Sequence, residues 1–201
     1  MGAKRPTPEI MRYDLITRWL HAAIAVTVTF QLLVSQVMKT PKPGRTIGDF
    51  EAWAFGAHEA VGLTVLGLLL LHWLWALTGH ARGGPGRLLP WFSIARYRKL
   101  QGELKLLATL RIGAIAESGA LVGAVHGLGL LAVSAMAATG GVIYFGMGAD
   151  GSMSPLVHAV KESHEFFASF VWIFLAGHAG MAVLHQWLGH RTLSAMFRLK
   201  K

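Results

Sequence analysis

Four long apolar stretches constrain this chain more than any other feature of its sequence. They run near residues 19–38, 58–78, 119–144 and 164–188, and as helices they have the length needed to cross a bilayer core of about 30 Å. Backbone polar groups must be satisfied within each segment in lipid, and the alternation typical of barrel strands is absent. The sequence therefore predicts an all-α integral membrane protein with a four-helix transmembrane bundle.

The composition agrees with lipid as the solvent. Hydrophobic residues make up 53% of the 201 residues and charged residues 14%, which is too few to cover a water-soluble domain of this size. The chain has no cysteine, which excludes disulfides, thiolate zinc sites, iron–sulfur clusters and covalently attached c-type haem. Metal chemistry would therefore depend mainly on the ten histidines.

The distribution of basic residues predicts the orientation of the spans. Fifteen of the 19 Lys and Arg residues lie in the terminal segments and in the loop 79–118, whereas the other side has only Lys39, Lys42, Arg45 and Lys161. Cytoplasmic loops carry such an excess, so we expect both termini and the loop 79–118 to be cytoplasmic. The formal net charge of +9 then has a topological cause, and we expect no nucleic-acid partner.

Two segments need a separate interpretation. The first apolar stretch is followed by no small-residue cleavage site, so we interpret it as a retained helix rather than a signal peptide. Residues 91–111 mix aromatic and aliphatic residues with Arg and Lys. This pattern is typical of an amphipathic helix along the cytoplasmic interface, either as a membrane-skimming linker or as a partner surface.

Histidine is the main functional signal within the spans. His58 and His72 are fourteen residues apart, as are His164 and His178. On a helix this interval places two residues on a common face about 21 Å apart, one toward each side of the bilayer. The two residues of one helix are too distant to share a metal ion, but their spacing suits two cofactors stacked across the membrane, and haem held by imidazoles fits it.

Other interpretations of these residues compete with haem binding. A single histidine in a span is often a hydrogen-bonded structural residue, and nearby small residues also serve tight helix packing. Close approach of a porphyrin edge would explain the same small residues, which are Gly62, Gly140, Gly141, Gly177 and Gly180. A metal transporter, proton channel or pump is disfavoured because Glu59 and Glu165 each lie beside a boundary histidine and the span interiors hold no carboxylate.

Four stretches of the chain resemble the prokaryotic cytochrome b561 family, which includes the b-type cytochrome subunits of nickel–iron hydrogenases. The stretches are RYDLITRWLH, HEAVGLTVLGLLLLHWLWALTGH, HGLGLLAVSAMAATGG and HEFFASFVWIFLAGHAGMAVLHQWLGHRTLSAMF. The resemblance covers nearly the whole chain. It implies a single membrane cytochrome b domain over residues 1–201, two haem b groups, and a multi-pass location in the bacterial cytoplasmic (inner) membrane.

The resemblance also implies the axial ligands of the haem irons. In this family, histidines of the first and second spans complete the pairs offered by the fourth span. Carried over to this chain, the inner haem would be held by His21 and His178, and the outer haem by His58 and His164.

Three further histidines are less favoured as cofactor ligands. His72 stands where close relatives are expected to have arginine, and it is a second candidate for the inner haem. His21 is preferred because the sequence around it, Arg18-Trp19-Leu20-His21, is what resembles the family. His126 and His185 match family positions near the cytoplasmic side. Three roles stay open for them, namely a hydrogen bond to a haem propionate, to quinone or to groups at the membrane interface.

The expected function is electron transfer in a respiratory chain between a partner redox protein and the quinone pool. The chain would act as a quinone-linked oxidoreductase or as a subunit of one, with membrane lipid, quinone and a redox partner or catalytic subunit as its partners. One alternative is a free-standing oxidoreductase that acts on a small oxidant such as superoxide. A second alternative is a haem-binding membrane anchor without catalytic turnover.

Overall fold

A computed structural model of the chain describes residues 14–78, 85–109 and 119–187, together with residues 193 and 196. The main elements are α1 (Leu15–Val34), α2 (Asp49–Leu77), α3 (Pro85–Leu88), α4 (Ile94–Ala108), α5 (Ala120–Gly146) and α6 (Pro155–Trp187). A short 3-10 helix, Pro90–Phe92, joins α3 to α4. No strand occurs in these described ranges, so the all-α prediction is confirmed there.

Four of these helices, α1, α2, α5 and α6, are long and apolar enough to cross a membrane. The prediction of four membrane-length helices is therefore confirmed. Their outward faces carry large apolar side chains such as Val26, Leu70 and Ile173, which are exposed in the isolated chain. A bundle surrounded by lipid is expected to have such a surface, because lipid tails solvate it as well as a protein core would.

Three helices begin earlier than the apolar stretches predicted. The side chain of Asp14 accepts a hydrogen bond from the Thr17 N–H at 2.8 Å and so caps α1, which begins at Leu15 rather than Trp19. The other two begin at Asp49 and at Pro155, a residue that suits a first helical turn. Hydropathy identifies only the apolar segment that crosses the lipid, and it misses polar first turns of the helix that lie outside that segment. As a result, His58 and His164 lie about two and a half turns inside their helices.

Helix α5 connects the two halves of the bundle. The principal helix contacts are α1 with α2, α2 with α5, and α5 with α6. A core cluster joins all four spans, and three of its residues, Leu32, Leu69 and Val171, are almost completely buried. Packing of this core fixes the helices around two cavities, one toward each end of the bundle, that histidines line.

The segment between α2 and α5 packs against the beginning of α5. Both α3 and α4 contact α5, and the Glu103 carboxylate accepts a hydrogen bond from the Leu121 N–H at 2.7 Å. This contact satisfies one of the free N–H groups in the first turn of α5. Leu88 approaches α5 so closely that its carbonyl oxygen occupies the place of a Cβ atom on Gly127. Gly127 is therefore needed for the connection to lie against the bundle.

We expect Gly127→Ala to destabilise the protein, because the added methyl group would overlap the Leu88 carbonyl and displace α3. Overpacking of this kind costs about 1–3 kcal/mol. Thermal unfolding of the detergent-solubilised variant, followed by circular dichroism, measures the loss. Gly67→Ala is the matched control, since a Cβ atom at Gly67 meets nothing within 4 Å. Equal unfolding temperatures for the two variants would contradict this account of Gly127.

Candidate haem sites

Two cavities lie at opposite ends of the four-helix bundle. The inner cavity is lined by His21 of α1, His72 of α2, His126 of α5 and His178 of α6. The outer cavity is lined by His58 of α2 and His164 of α6. The names follow the orientation expected from the charge distribution. Two core side chains, Val28 and Val133, line both cavities and therefore lie between them.

One pair of imidazoles faces each other in each cavity. The ring centroids of His21 and His178 are 6.1 Å apart, with an interplanar angle of 57°. The ring centroids of His58 and His164 are 6.2 Å apart, with an interplanar angle of 88°. Helix α6 thus presents one histidine to α1 and another, fourteen residues earlier, to α2.

The spacing within each pair fits a metal ion between the two rings. A bond from imidazole nitrogen to a transition metal is about 2 Å, and the ring centre lies about 1 Å farther, so two rings on one metal have centres about 6 Å apart. Two imidazoles suit haem, whose macrocycle supplies the other four ligands of the iron. Within the described ranges, no group of three or more His, Cys, Asp or Glu residues could hold a metal ion.

In the outer cavity, the ring of His164 is oriented by α5. Its Nδ1 lies 2.9 Å from the main-chain oxygen of Met136 and 3.1 Å from the Thr139 hydroxyl. Because a carbonyl oxygen only accepts, Nδ1 carries the proton in the bond to Met136, and Nε2 of the neutral ring keeps a lone pair for a metal. Gly140 makes room for this ring, since its Cβ atom would lie 3.1 Å from Cε1 of His164.

The opposite histidine, His58, is held by a residue that the sequence analysis missed. The side-chain Nε2 of Gln31 donates a hydrogen bond to the main-chain oxygen of His58 at 2.7 Å. Gln31 is the buried polar residue of the described core, at 7% exposure. The available signal was a lone amide within an apolar span, where polar side chains are costly and commonly have a task.

In the inner cavity, two aromatic contacts hold the ring of His178. Phe174 stacks on it at a centroid distance of 5.2 Å, and His126 meets it edge-on at 4.9 Å. Phe174 itself occupies the space that a Cβ atom on Gly129 would need. His126 donates from Nδ1 to the main-chain oxygen of Val122 at 2.7 Å, which leaves its Nε2 as the acceptor nitrogen in the neutral ring.

The other two candidate histidines are His72 and His185. His72 lines the inner cavity, and its Nδ1 is buried without a hydrogen-bond partner in the described part of the chain. The ring contacts described for His178 are with His21, His126 and Phe174. His185 belongs to α6, but its side chain lies outside the described residues.

A polar cluster borders the inner cavity between the start of α1 and the end of α2. Asp14 accepts hydrogen bonds from the Thr17 hydroxyl at 2.7 Å and from the Trp75 indole at 3.2 Å. Partial burial acts to raise the pKa of Asp14, but the hydrogen bonds from Thr17 and Trp75 outweigh it and hold the pKa below its usual value. Asp14 also interacts electrostatically with His72. The cluster therefore connects α1 with α2 beside the inner histidines.

Four membrane-length helices with facing imidazoles inside the bundle have the architecture of a membrane b-type cytochrome. The model of the family described as prokaryotic cytochrome b561 matches residues 12–199. The chain belongs to this family, which binds haem b and takes part in membrane electron transfer, and the resemblance noted in the sequence is confirmed. No curated protein and no solved structure matches the chain.

We expect Asp14→Asn to flatten the pH dependence of stability at acidic pH. The folded protein lowers the pKa of Asp14, so ionised Asp14 stabilises the fold above the pKa of the unfolded chain. That contribution is lost as the pH falls through the lowered value. Asparagine still caps a helix, so the cap itself is retained. Unfolding temperatures measured from about pH 3 to pH 6 test this, and identical pH slopes in the two proteins would contradict it.

Proposed function

We propose that the protein is a dihaem b-type cytochrome that transfers electrons across the membrane between a partner redox protein and the quinone pool. The supporting observation is that two pairs of facing imidazoles, with ring-centroid distances of 6.1 and 6.2 Å, lie at opposite ends of one bundle. The chain would act as a single membrane cytochrome b domain.

We assign His21 and His178 to the inner haem, and His58 and His164 to the outer haem. Haem supplies one-electron chemistry when bound, through the change in oxidation state of its iron. The protein supplies the ligands, their orientation and an apolar surrounding. Met136 has a specific part in this, because its main-chain oxygen accepts a hydrogen bond from Nδ1 of His164, which fixes the ring and makes its other nitrogen more basic.

The two sites define an electron path along the membrane normal. The fourteen-residue interval in α6 separates their levels by about 21 Å, a large part of the bilayer core. Moving one elementary charge across the whole membrane exchanges about 2.3 kcal/mol per 100 mV of membrane potential. Electron flow between the sites therefore responds to the membrane potential.

The orientation follows the positive-inside rule, in the bacterial inner membrane with both termini cytoplasmic. The outer site then faces a periplasmic electron partner through the loops 35–48 and 147–154. Quinone chemistry lies near the inner cavity, which His126 lines. We assign proton exchange with water or quinone to His126 or, from its place in the sequence, to His185.

The ligand assignment predicts selective loss of one haem at a time. We expect His164→Ala to lose the outer haem and keep the inner one, whereas His178→Ala does the reverse. Haem per chain and the reduced-minus-oxidised spectrum of each purified variant measure the loss. Loss of the same spectral component in both variants, with the bundle still folded, would contradict separate sites.

His21 and His72 are distinguished by a second pair of variants. We expect His21→Ala to lose the inner haem, because His21 is the ring that lies 6.1 Å from His178. His72→Ala should keep that haem with a shifted midpoint potential, since His72 lines the same cavity. Haem content and redox titration provide the readouts. Retention of the inner haem in His21→Ala and its loss in His72→Ala would replace His21 with His72 as the ligand.

A quinone-site inhibitor tests the direction of the path. We expect the inhibitor to perturb the spectrum of the inner haem, identified as the component that remains in His164→Ala, because the inner cavity borders the polar groups of Asp14, Thr17 and Trp75. A perturbation confined to the outer haem would reverse the arrangement. A cytoplasmic partner would then dock on residues 91–111, where Phe92 and Ile94 are exposed.

A further inference from the structure

A buried amide of α1 holds the turn of α2 that carries His58. The Nε2 atom of Gln31 donates to the His58 main-chain oxygen at 2.7 Å, between residues 27 positions apart in the sequence. Because a carbonyl oxygen only accepts hydrogen bonds, this contact fixes which end of the amide faces α2. Burial of an amide is unfavourable unless its polar atoms are bonded. At 7% exposure, Nε2 of Gln31 has the bond to His58, whereas Oε1 is buried without a hydrogen-bond partner in the described residues.

Gly62 provides the space for this contact. In the regular hydrogen-bonding pattern of α2, the N–H of Gly62 also faces the His58 carbonyl, one turn earlier. A Cβ atom at position 62 would lie 2.8 Å from Nε2 of Gln31, a separation at which something must shift. The absence of a side chain at Gly62 thus lets the amide reach the backbone of His58.

The two histidines of the outer cavity are held in different ways. The ring of His164 is held directly, through its Nδ1, by Met136 and Thr139. The Nδ1 of His58 is buried and has no partner that meets hydrogen-bond geometry in the described residues. The position of His58 therefore depends on how its main chain is held against α1.

We propose that Gln31 is a positioning residue of the outer site. It fixes α2 against α1 through the His58 carbonyl, in the space left by Gly62, and so sets where the His58 imidazole lies opposite His164. The inference rests on the proposed function, since the position of His58 affects a haem only if His58 is its ligand. Gln31 also lines the outer cavity. The positioning role assigned to it is the hydrogen bond from its Nε2 to the backbone of α2.

The test uses the full-length protein with its haems bound. Gln31→Met keeps the side-chain length and removes the donor. The expected results are a shifted low-spin electron paramagnetic resonance signal and a shifted midpoint potential for the outer haem, with several-fold faster transfer of that haem to apomyoglobin. The outer component is the one absent from His164→Ala. The inner haem should be unchanged, because Gln31 lines the outer cavity, whereas His21 and His178 line the inner one.

Gly62→Ala tests the same contact from α2, and it leaves the Gln31 side chain chemically unchanged. It should shift the outer haem in the same direction as Gln31→Met. Gly67→Ala, in the same helix but with open space at its Cβ position, should leave both haems unchanged. The double variant Gln31→Met/Gly62→Ala should show no larger shift than the stronger single variant, because both changes remove one contact.

The outcomes separate this inference from the proposed function. Two haems in the wild-type protein with an unchanged outer signal in Gln31→Met would overturn the positioning role and leave the proposed function intact. Equal shifts in both haems, or additive shifts in the double variant, would also overturn the role, since they indicate general loosening of the bundle. A wild-type protein with no haem at the outer site would overturn both.

Discussion

The arrangement of two histidines on α6 is the constraint on which the rest of the structure depends. His164 faces α2 and His178 faces α1, so one helix presents both imidazoles to different partners at two depths. Ring nitrogens buried in a lipid-embedded bundle need partners, because an unsatisfied polar group costs about 1–3 kcal/mol. Protein groups satisfy Nδ1 of His164, and a metal bound at the other ring nitrogen would complete the pairing.

Small residues in the spans serve this arrangement by making room for side chains. Gly140 leaves space for the His164 ring, Gly129 for the Phe174 ring beside His178, and Gly62 for the Gln31 amide beside His58. From the sequence, tight helix packing and close approach of a porphyrin edge explain small residues in the spans equally well. The contacts at these three positions are with protein side chains, which position the histidines or the residues that hold them.

The sequence predicted the fold class and the number of membrane-length helices because hydropathy reports directly on burial in lipid. The starts of α1, α2 and α6 escaped it, since a cap such as Asp14 and a first-turn residue such as Pro155 act through local backbone geometry. The family resemblance, confirmed over residues 12–199, supplied the histidine pairs. Gln31 escaped because its partner lies 27 residues away, a contact that periodicity within one helix does not reveal.

The central claim is that each end of the bundle holds one haem b. The most direct measurement is a pyridine haemochrome assay, referred to protein concentration, on the purified full-length chain, together with its reduced-minus-oxidised spectrum. We expect two non-covalent haem b groups per chain, both low-spin, because each cavity offers one pair of facing imidazoles. One haem per chain, or none, would contradict it.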